Sequence, residues 1–169
     1  MCLIVVYKKI MSDQEQKMSN GVNKKIIIAG LVASVAMAMM EMVYEGLFGV
    51  GFWSAPVFIA ATLLRDLQTI ALPVVFSAIP AVVGMMGHMM NSIILAFVFV
   101  ALAGRFLHTT LTGALAGALY AFAIFFVMWF GVLPVIDPVM LNLDPIVFAL
   151  SHMVWGAVLG AMVGRQQAA

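Results

Sequence analysis

Four apolar stretches of this chain are each long enough to cross a lipid bilayer, and they limit its fold more than any other feature. They run over residues 26–48, 81–104, 112–132 and 144–164. At a rise of about 1.5 Å per residue, a helix of about 20 residues spans the roughly 30 Å hydrocarbon core. Because lipid offers no hydrogen bonds, a spanning segment must satisfy its own backbone groups, as a helix does. The sequence therefore predicts an all-α protein, an integral membrane four-helix bundle.

The low charge content excludes a water-soluble domain. Of the 169 residues, 65% are hydrophobic and 9% are charged, whereas soluble domains carry about 25% charged residues. The net charge of +1 gives no electrostatic reason to expect nucleic acid as a partner. The single cysteine, Cys2, excludes an intramolecular disulfide. We expect a single membrane domain over residues 26–164, between a disordered cytoplasmic tail (1–25) and a short cytoplasmic tail (165–169).

The distribution of lysine and arginine predicts the orientation. With both termini in the cytoplasm, Arg65 would be the only one of the eight Lys and Arg residues on the outer side. Cytoplasmic segments of membrane proteins are enriched in these residues. We therefore expect a multi-pass inner-membrane protein with the N-in/C-in arrangement.

The link between the first two spans contains a mixed segment, residues 56–72. Thr62, Arg65, Asp66 and Gln68 stand there among apolar residues. Such a mixture is typical of an amphipathic helix that lies on the membrane surface, and we expect one here. The alternative is a re-entrant or poorly formed fifth span, which the Arg65-Asp66 pair in its middle disfavours.

Small residues and Asp-Pro pairs predict how the helices pack and begin. Gly113 and Gly117 form one pair at four-residue spacing, and a row of three more follows over residues 156–164. Small residues let helix backbones approach closely in lipid, so we expect span four to be central. Asp144-Pro145 supplies an N-cap acceptor and a first residue that lacks an N–H, and so predicts a helix start. Asp137-Pro138 predicts a short helical turn before it.

Four ionisable side chains interrupt the spans: Glu41, Glu45, His88 and His152. A charged side chain at the centre of a membrane helix costs roughly 2.5–3.5 kcal/mol on insertion scales, so such residues usually mark a partner or a site. Counting about 1.5 Å per residue from the cytoplasmic ends places all four in the outer half of the membrane. Glu45 lies nearest the surface, and we expect it to reach water among the lipid headgroups.

The other three could form a metal site. Glu41, His88 and His152 offer one carboxylate and two imidazoles, a set that binds Zn, Fe or Mn with open positions. Two histidines on facing helices can also bind haem, and a Glu–His pair can relay protons. Behind these ligands we expect supporting roles for Glu45, Asn91 and Ser92. The alternative is that each histidine makes an ordinary hydrogen bond between helices.

Part of the chain resembles a known group of proteins. The third span ends in Gly131-Val132-Leu133-Pro134, and the fourth contains His-Met-Val-Trp-Gly-Ala-Val-Leu-Gly over residues 152–160. This pattern is similar to that of small bacterial four-helix inner-membrane proteins of unknown function, with YagU-like proteins as more distant relatives. The resemblance implies the four-span topology and implies no activity.

Three functional hypotheses follow from the sequence. The first is an accessory subunit or a self-associating bundle, whose partners are the lipid bilayer and either further copies or a membrane complex. The second is a membrane protein whose cofactor is a transition metal or haem. The third is a proton- or metal-coupled carrier. No motif for enzymatic catalysis is evident, and an enzyme is the less expected class.

Overall fold

A computed structural model describes the backbone of residues 2–167 and the side chains of residues 20–164. Over that range the chain forms helices and turns, without strands. The helices are α1 (Cys2–Leu47), α2 (Ser54–Ala61), α3 (Ala78–Ala103), α4 (Thr110–Val127), α5 (Leu133–Ile136) and α6 (Pro145–Gln167). A π-helical turn at Met128–Val132 joins α4 to α5. Four segments are long and apolar enough to cross a membrane: Asn20–Leu47, Ala78–Phe106, Thr110–Ile136 and Pro145–Gly164. The prediction of an all-α protein with four helices able to span a membrane is confirmed.

The four long helices form an incomplete ring. Helix α6 packs along α4 on one side and along α1 on the other, and α1 packs against α3. Helices α3 and α4, in contrast, share few contacts. Span four therefore has the central position expected for it. Side chains join α3 to α4, since the Tyr120 hydroxyl donates to the Leu95 carbonyl at 3.1 Å.

Glycines bring α4 and α6 together. An added Cβ at Gly117 would lie 2.8 Å from the carbonyl carbon of Gly156, and one at Gly113 would lie 2.9 Å from that of Gly160. The backbones of the two helices are thus in direct contact at these positions. Since apolar side chains gain little by leaving lipid for one another, this close approach is what favours association.

Helix α2 differs from the surface helix expected over residues 56–72, which is not confirmed. It ends at Ala61, and seven of its eight residues are buried. It packs chiefly against α3, where an added Cβ at Gly84 would lie 2.6 Å from the Pro56 carbonyl carbon. Of the polar residues that suggested an amphipathic helix, Thr62 directly follows α2, and the others lie in a separate 3-10 turn, Arg65–Thr69.

The two long connections, residues 48–77 and 128–144, meet at the end of the bundle remote from the chain termini. We call the half of the bundle that carries them the distal half. The Thr62 hydroxyl donates to Asp137 at 2.7 Å, and the Gln68 amide donates to the same carboxylate. Arg65 donates to the Ile136 carbonyl at 2.6 Å. Asp137, which is 3% exposed, therefore ties the first connection to the second.

Asp144 caps α6, as the Asp-Pro pair predicts. Its carboxylate accepts hydrogen bonds from the N–H groups of Ile146 at 2.8 Å and Val147 at 3.0 Å. The Tyr44 hydroxyl of α1 donates to the other carboxylate oxygen at 3.2 Å. The second pair, Asp137-Pro138, also begins a short helix, the 3-10 turn Pro138–Asn142. Both predicted starts are confirmed.

This cap predicts a pH dependence of stability. The Val147 N–H, followed by the Ile146 N–H and the Tyr44 hydroxyl, holds the pKa of Asp144 below its usual value despite partial desolvation. A carboxyl group with a lowered folded-state pKa stabilises the fold above its unfolded pKa of about 3.9 and loses that contribution as the pH falls through the folded value. We expect the melting temperature of Asp144→Asn, measured in detergent from pH 6 to pH 3, to fall less steeply below about pH 4 than that of the wild type. Equal slopes would contradict the cap.

Candidate functional site

A cavity of about 320 Å³ lies in the distal half, where α3 and α6 face the π-helical turn and α5 that follow α4. We call it the cleft. Its wall is mostly apolar, and its polar side chains fall into two groups. Thr62 and Asp137 lie on the distal connections, and the others lie deeper on α3 and α6: His88, Asn91 and His152. The cleft thus lies beyond the distal end of α4, none of whose residues lines it.

Two smaller cavities adjoin the cleft. One, of about 30 Å³, has Glu41 among the residues of its wall, and we call it the Glu41 chamber. The other, of about 50 Å³, lies deeper and reaches Ser92 and Trp155. Met37 and His88 line all three cavities. His88 therefore stands where the cavities meet.

His88 connects α3 to α1. Its Nε2 atom lies 3.2 Å from the Ser34 carbonyl oxygen. Because a carbonyl oxygen can only accept, Nε2 carries the hydrogen and donates. In the neutral ring the other nitrogen, Nδ1, is then left as an acceptor.

His152 is held in the opposite tautomer. Its Nδ1 atom lies 2.7 Å from the Phe148 carbonyl oxygen of the preceding helical turn, so Nδ1 donates and Nε2 is left as the acceptor. The ring packs against the Phe148 ring, with 4.4 Å between centroids, and is 8% exposed. The sequence alternative, a histidine hydrogen bond between helices, is found for His88. The hydrogen bond of His152 stays within its own helix.

Glu41 has no such partner. Its side chain is 3% exposed, and neither carboxyl oxygen makes a hydrogen bond within the described part of the chain. Ser151 of α6 lies beside it, but the Ser151 hydroxyl donates to the Phe148 carbonyl at 3.0 Å. Polar groups buried in proteins are normally hydrogen-bonded, and an exception calls for an explanation.

The expected position of Glu45 among the lipid headgroups is wrong. The residue is 1% exposed. One carboxyl oxygen accepts the N–H of Val50 at 2.9 Å, and the other accepts the N–H of Asp144 at 3.1 Å. Glu45 is buried because these two N–H groups, at a turn and at the start of α6, need an acceptor inside the protein. Its role is structural and lies outside the three cavities.

Asn91 and Ser92 have different roles. Asn91 is exposed and lines the cleft. Ser92 is 3% exposed, donates to the Gly30 carbonyl at 2.7 Å and accepts from the Trp155 indole N–H at 2.6 Å. Ser92 thus joins α1, α3 and α6 beneath the deepest cavity, and the role predicted for it behind metal ligands stays a prediction.

The predicted metal ligands line neighbouring cavities without forming a cluster. In the part of the chain that the structure describes, no group of three or more His, Cys, Asp or Glu side chains could hold a metal ion. Glu41 faces its own chamber, while His88 and His152 share the cleft. The transition-metal and haem assignments stay predictions that this geometry does not support.

Sequence reasoning missed Thr62 and Asp137 as parts of the site. Both line the cleft, and they are joined by a hydrogen bond although they lie 75 residues apart. The sequence indicates Asp137 as a helix start, and its place before Pro138 explains that role fully. The sequence carries no signal that this carboxylate also faces a cavity.

Comparison with known protein families, with curated proteins and with solved structures found no match. Any functional assignment therefore rests on the geometry of the cleft and its side chains.

Proposed function

We propose that this protein is a multi-pass inner-membrane protein that binds a small, largely apolar molecule in the cleft. The single observation that carries the proposal is the cavity of about 320 Å³ in the distal half, lined by α3, α6 and the residues that follow α4. Ligand pockets typically measure about 300–1,000 Å³ and combine an apolar wall with a few placed polar groups. The cleft has both properties.

The orientation expected from the sequence puts the cleft in the outer half of the membrane. With both termini in the cytoplasm, as the positions of lysine and arginine favour, the distal half faces the outer leaflet. The exposed residues that line the cleft, Thr62, Leu63 and Asn91, then give a ligand access from the lipid or from the outer surface. The residues at the mouth support this route, since Leu63 is 74% exposed and Thr62 is also exposed.

The other functional hypotheses account for the cleft less well. An accessory or self-associating bundle, the first of them, accounts for the apolar helices but gives the cavity no role. The likeness to small bacterial inner-membrane proteins, including YagU-like ones, agrees with the topology and leaves the ligand open. A carrier would need the same binding site, so ligand binding is the common first step.

Gly87 provides a direct test. It lines the cleft, and an added Cβ there would meet just the Ile59 Cγ2 atom, at 3.6 Å, so a larger side chain fits and fills the cavity. We expect 2-phenylethanol at ten times its Kd to raise the melting temperature of the purified wild type by roughly 3 °C or more, and Gly87→Leu to abolish that rise.

The matched control is Gly131→Leu. Gly131 is exposed, and an added Cβ there has no neighbour within 4 Å. This variant adds the same side chain outside the cleft and should keep the full shift. If 2-phenylethanol stabilises neither the wild type nor Gly131→Leu, or if it stabilises Gly87→Leu as much as Gly131→Leu, the proposed function is wrong.

A further inference from the structure

We infer that the ligand of the cleft is a neutral alcohol or phenol whose hydroxyl group donates to the Nδ1 atom of His88 and accepts from the side-chain amide of Asn91. This inference rests on the proposed function. It adds the chemical class of the ligand and the two side chains that recognise it. Four features of the cleft support it.

The first feature is an accessible acceptor on His88. Its Nε2 atom donates to the Ser34 carbonyl at 3.2 Å, so Nδ1 of the neutral ring is an acceptor without a partner. In the described part of the chain, the polar side-chain atoms that are both enclosed and unpartnered belong to Ser34, Glu41 and Ser54. Because Nδ1 of His88 is not one of these enclosed atoms, it is accessible. Polar atoms form part of the surface of the cleft, and His88 lines it.

The second feature is the amide group of Asn91. This residue is exposed, lines the cleft and lies midway along α3. In the described part of the chain, the side chains of α3 that hydrogen-bond to other helices are those of His88 and Ser92. The Asn91 amide therefore keeps its two donors and its acceptor unused, although a polar group without a partner is costly where lipid replaces water. A ligand oxygen atom would give this amide a partner.

The third feature is the spacing of these two side chains. His88 and Asn91 lie three residues apart on α3, so they are neighbours on one face of the helix, with about 5–6 Å between their Cβ atoms. One oxygen atom can then lie about 2.8 Å from the imidazole nitrogen and about 3 Å from the amide nitrogen. A hydroxyl group donates to the first and accepts from the second, whereas an ether or ketone oxygen can only accept.

The fourth feature is the charge of the cleft. The described residues that line it include no Lys or Arg, so an anionic ligand would find no counter-charge there. The carboxylate in its wall belongs to Asp137, and both oxygens already accept hydrogen bonds, one from Thr62 and one from Gln68. An unpaired buried charge costs far more than a hydrogen-bonded neutral group. The cleft therefore favours a neutral ligand.

The test compares 2-phenylethanol with its methyl ether, which has the same ring, spacer and oxygen atom but no O–H group. Both compounds can accept from Asn91, and the alcohol alone can donate to His88. For the purified wild type in detergent, we expect calorimetry to show that the alcohol binds at least about fivefold more tightly. The ratio of the two affinities is then compared between variants, because this comparison cancels the unequal partitioning of the two compounds into micelles.

Two substitutions of His88 separate recognition of the ligand from support of the fold. The amide of glutamine reaches the position of the imidazole Nε2 atom, so His88→Gln can keep the bond to Ser34 but has no acceptor at the Nδ1 position. The amide of asparagine ends near the Nδ1 position, so His88→Asn restores an acceptor there and loses the bond to Ser34. We expect His88→Gln to lose the preference for the alcohol and His88→Asn to keep most of it. A purely structural role of His88 predicts the opposite order.

Asn91→Leu tests the other half of the site. Leucine has a similar size but no donor, so this variant should weaken the binding of the alcohol and of the ether by a similar factor, about fivefold. The ratio of the two affinities should stay as it is in the wild type. The melting temperature of each variant verifies that it is folded before the ligands are added.

Equal affinity of the wild type for the alcohol and the ether, with both blocked by Gly87→Leu, would overturn the inference and leave the proposed function standing. A preference for the alcohol that persists in His88→Gln, or that is lost in His88→Asn alone, would overturn it as well. Unchanged affinities in Asn91→Leu would also contradict it. If Gly87→Leu blocks neither compound, the proposed function itself fails.

Discussion

Replacing Gly117 by alanine should separate α4 from α6 and lower the free energy of unfolding by about 3 kcal/mol, at the upper end of overpacking effects. The added methyl group would lie 2.8 Å from the Gly156 carbonyl carbon and closer still to its oxygen. Because both are backbone atoms, no change of rotamer can relieve the clash, and the helices must move apart. Unfolding of the purified protein in mixed micelles with increasing SDS would measure the loss.

Gly87→Ala is the matched control for this prediction. Gly87 is also a glycine within a long helix, but its added Cβ meets just one side-chain atom at an ordinary 3.6 Å. Alanine also favours helix over glycine by up to about 1 kcal/mol, so this variant should be as stable as the wild type or slightly more stable. If both alanine variants behave alike, α4 and α6 do not pack through their backbones.

The α4–α6 contact could be predicted because close packing of helices in lipid depends mainly on small residues. Between membrane helices, small residues at four-residue spacing are the main signal of close packing. Gly113 and Gly117 have this spacing, and so does the row of glycines in α6. The lengths of the spans follow equally directly from the thickness of the bilayer. These features depend on neighbours within one helix, and one sequence contains all of that information.

The distal connections could not be predicted in the same way. Thr62 and Gln68 suggested a helix facing lipid headgroups, but both donate to Asp137 of the other connection. This partner is about 70 residues away in the chain, and no local pattern reveals it. Without those polar residues the remaining helix, Ser54–Ala61, is apolar apart from the buried Ser54 and packs inside the bundle.

The candidate site was predicted in part for a similar reason. The cost of an ionisable side chain in lipid identified Glu41, His88 and His152, and all three line neighbouring cavities of the distal half. Their height follows from the helical rise, but the direction in which each points depends on how the helices rotate against one another. That rotation separates Glu41 from His152, which lines the cleft while Glu41 does not.

Replacing Glu45 by alanine should destabilise the protein by about 2–5 kcal/mol. Its two carboxyl oxygens accept the N–H groups of Val50 and Asp144 at 2.9 and 3.1 Å. Alanine would leave both donors without this acceptor, and each unsatisfied buried group costs about 1–3 kcal/mol. Gly49 shows how closely this arrangement is fitted, because an added Cβ there would lie 2.6 Å from the Glu45 Cδ atom. The same SDS unfolding experiment measures the effect.

Two further variants distinguish a buried acceptor from a residue in contact with headgroup water. Glu45→Gln keeps one acceptor oxygen and should lose about half as much stability as Glu45→Ala. Tyr44→Phe removes a single hydroxyl bond to Asp144, which is partly solvated, and should cost about 1 kcal/mol or less. The expected loss of stability is largest for Glu45→Ala, smaller for Glu45→Gln and smallest for Tyr44→Phe, because it grows with the number of backbone donors left unpaired. If Glu45→Ala costs no more than Tyr44→Phe, the carboxylate does not hold the distal connection to the start of α6, and the headgroup position first expected for it would be the correct one.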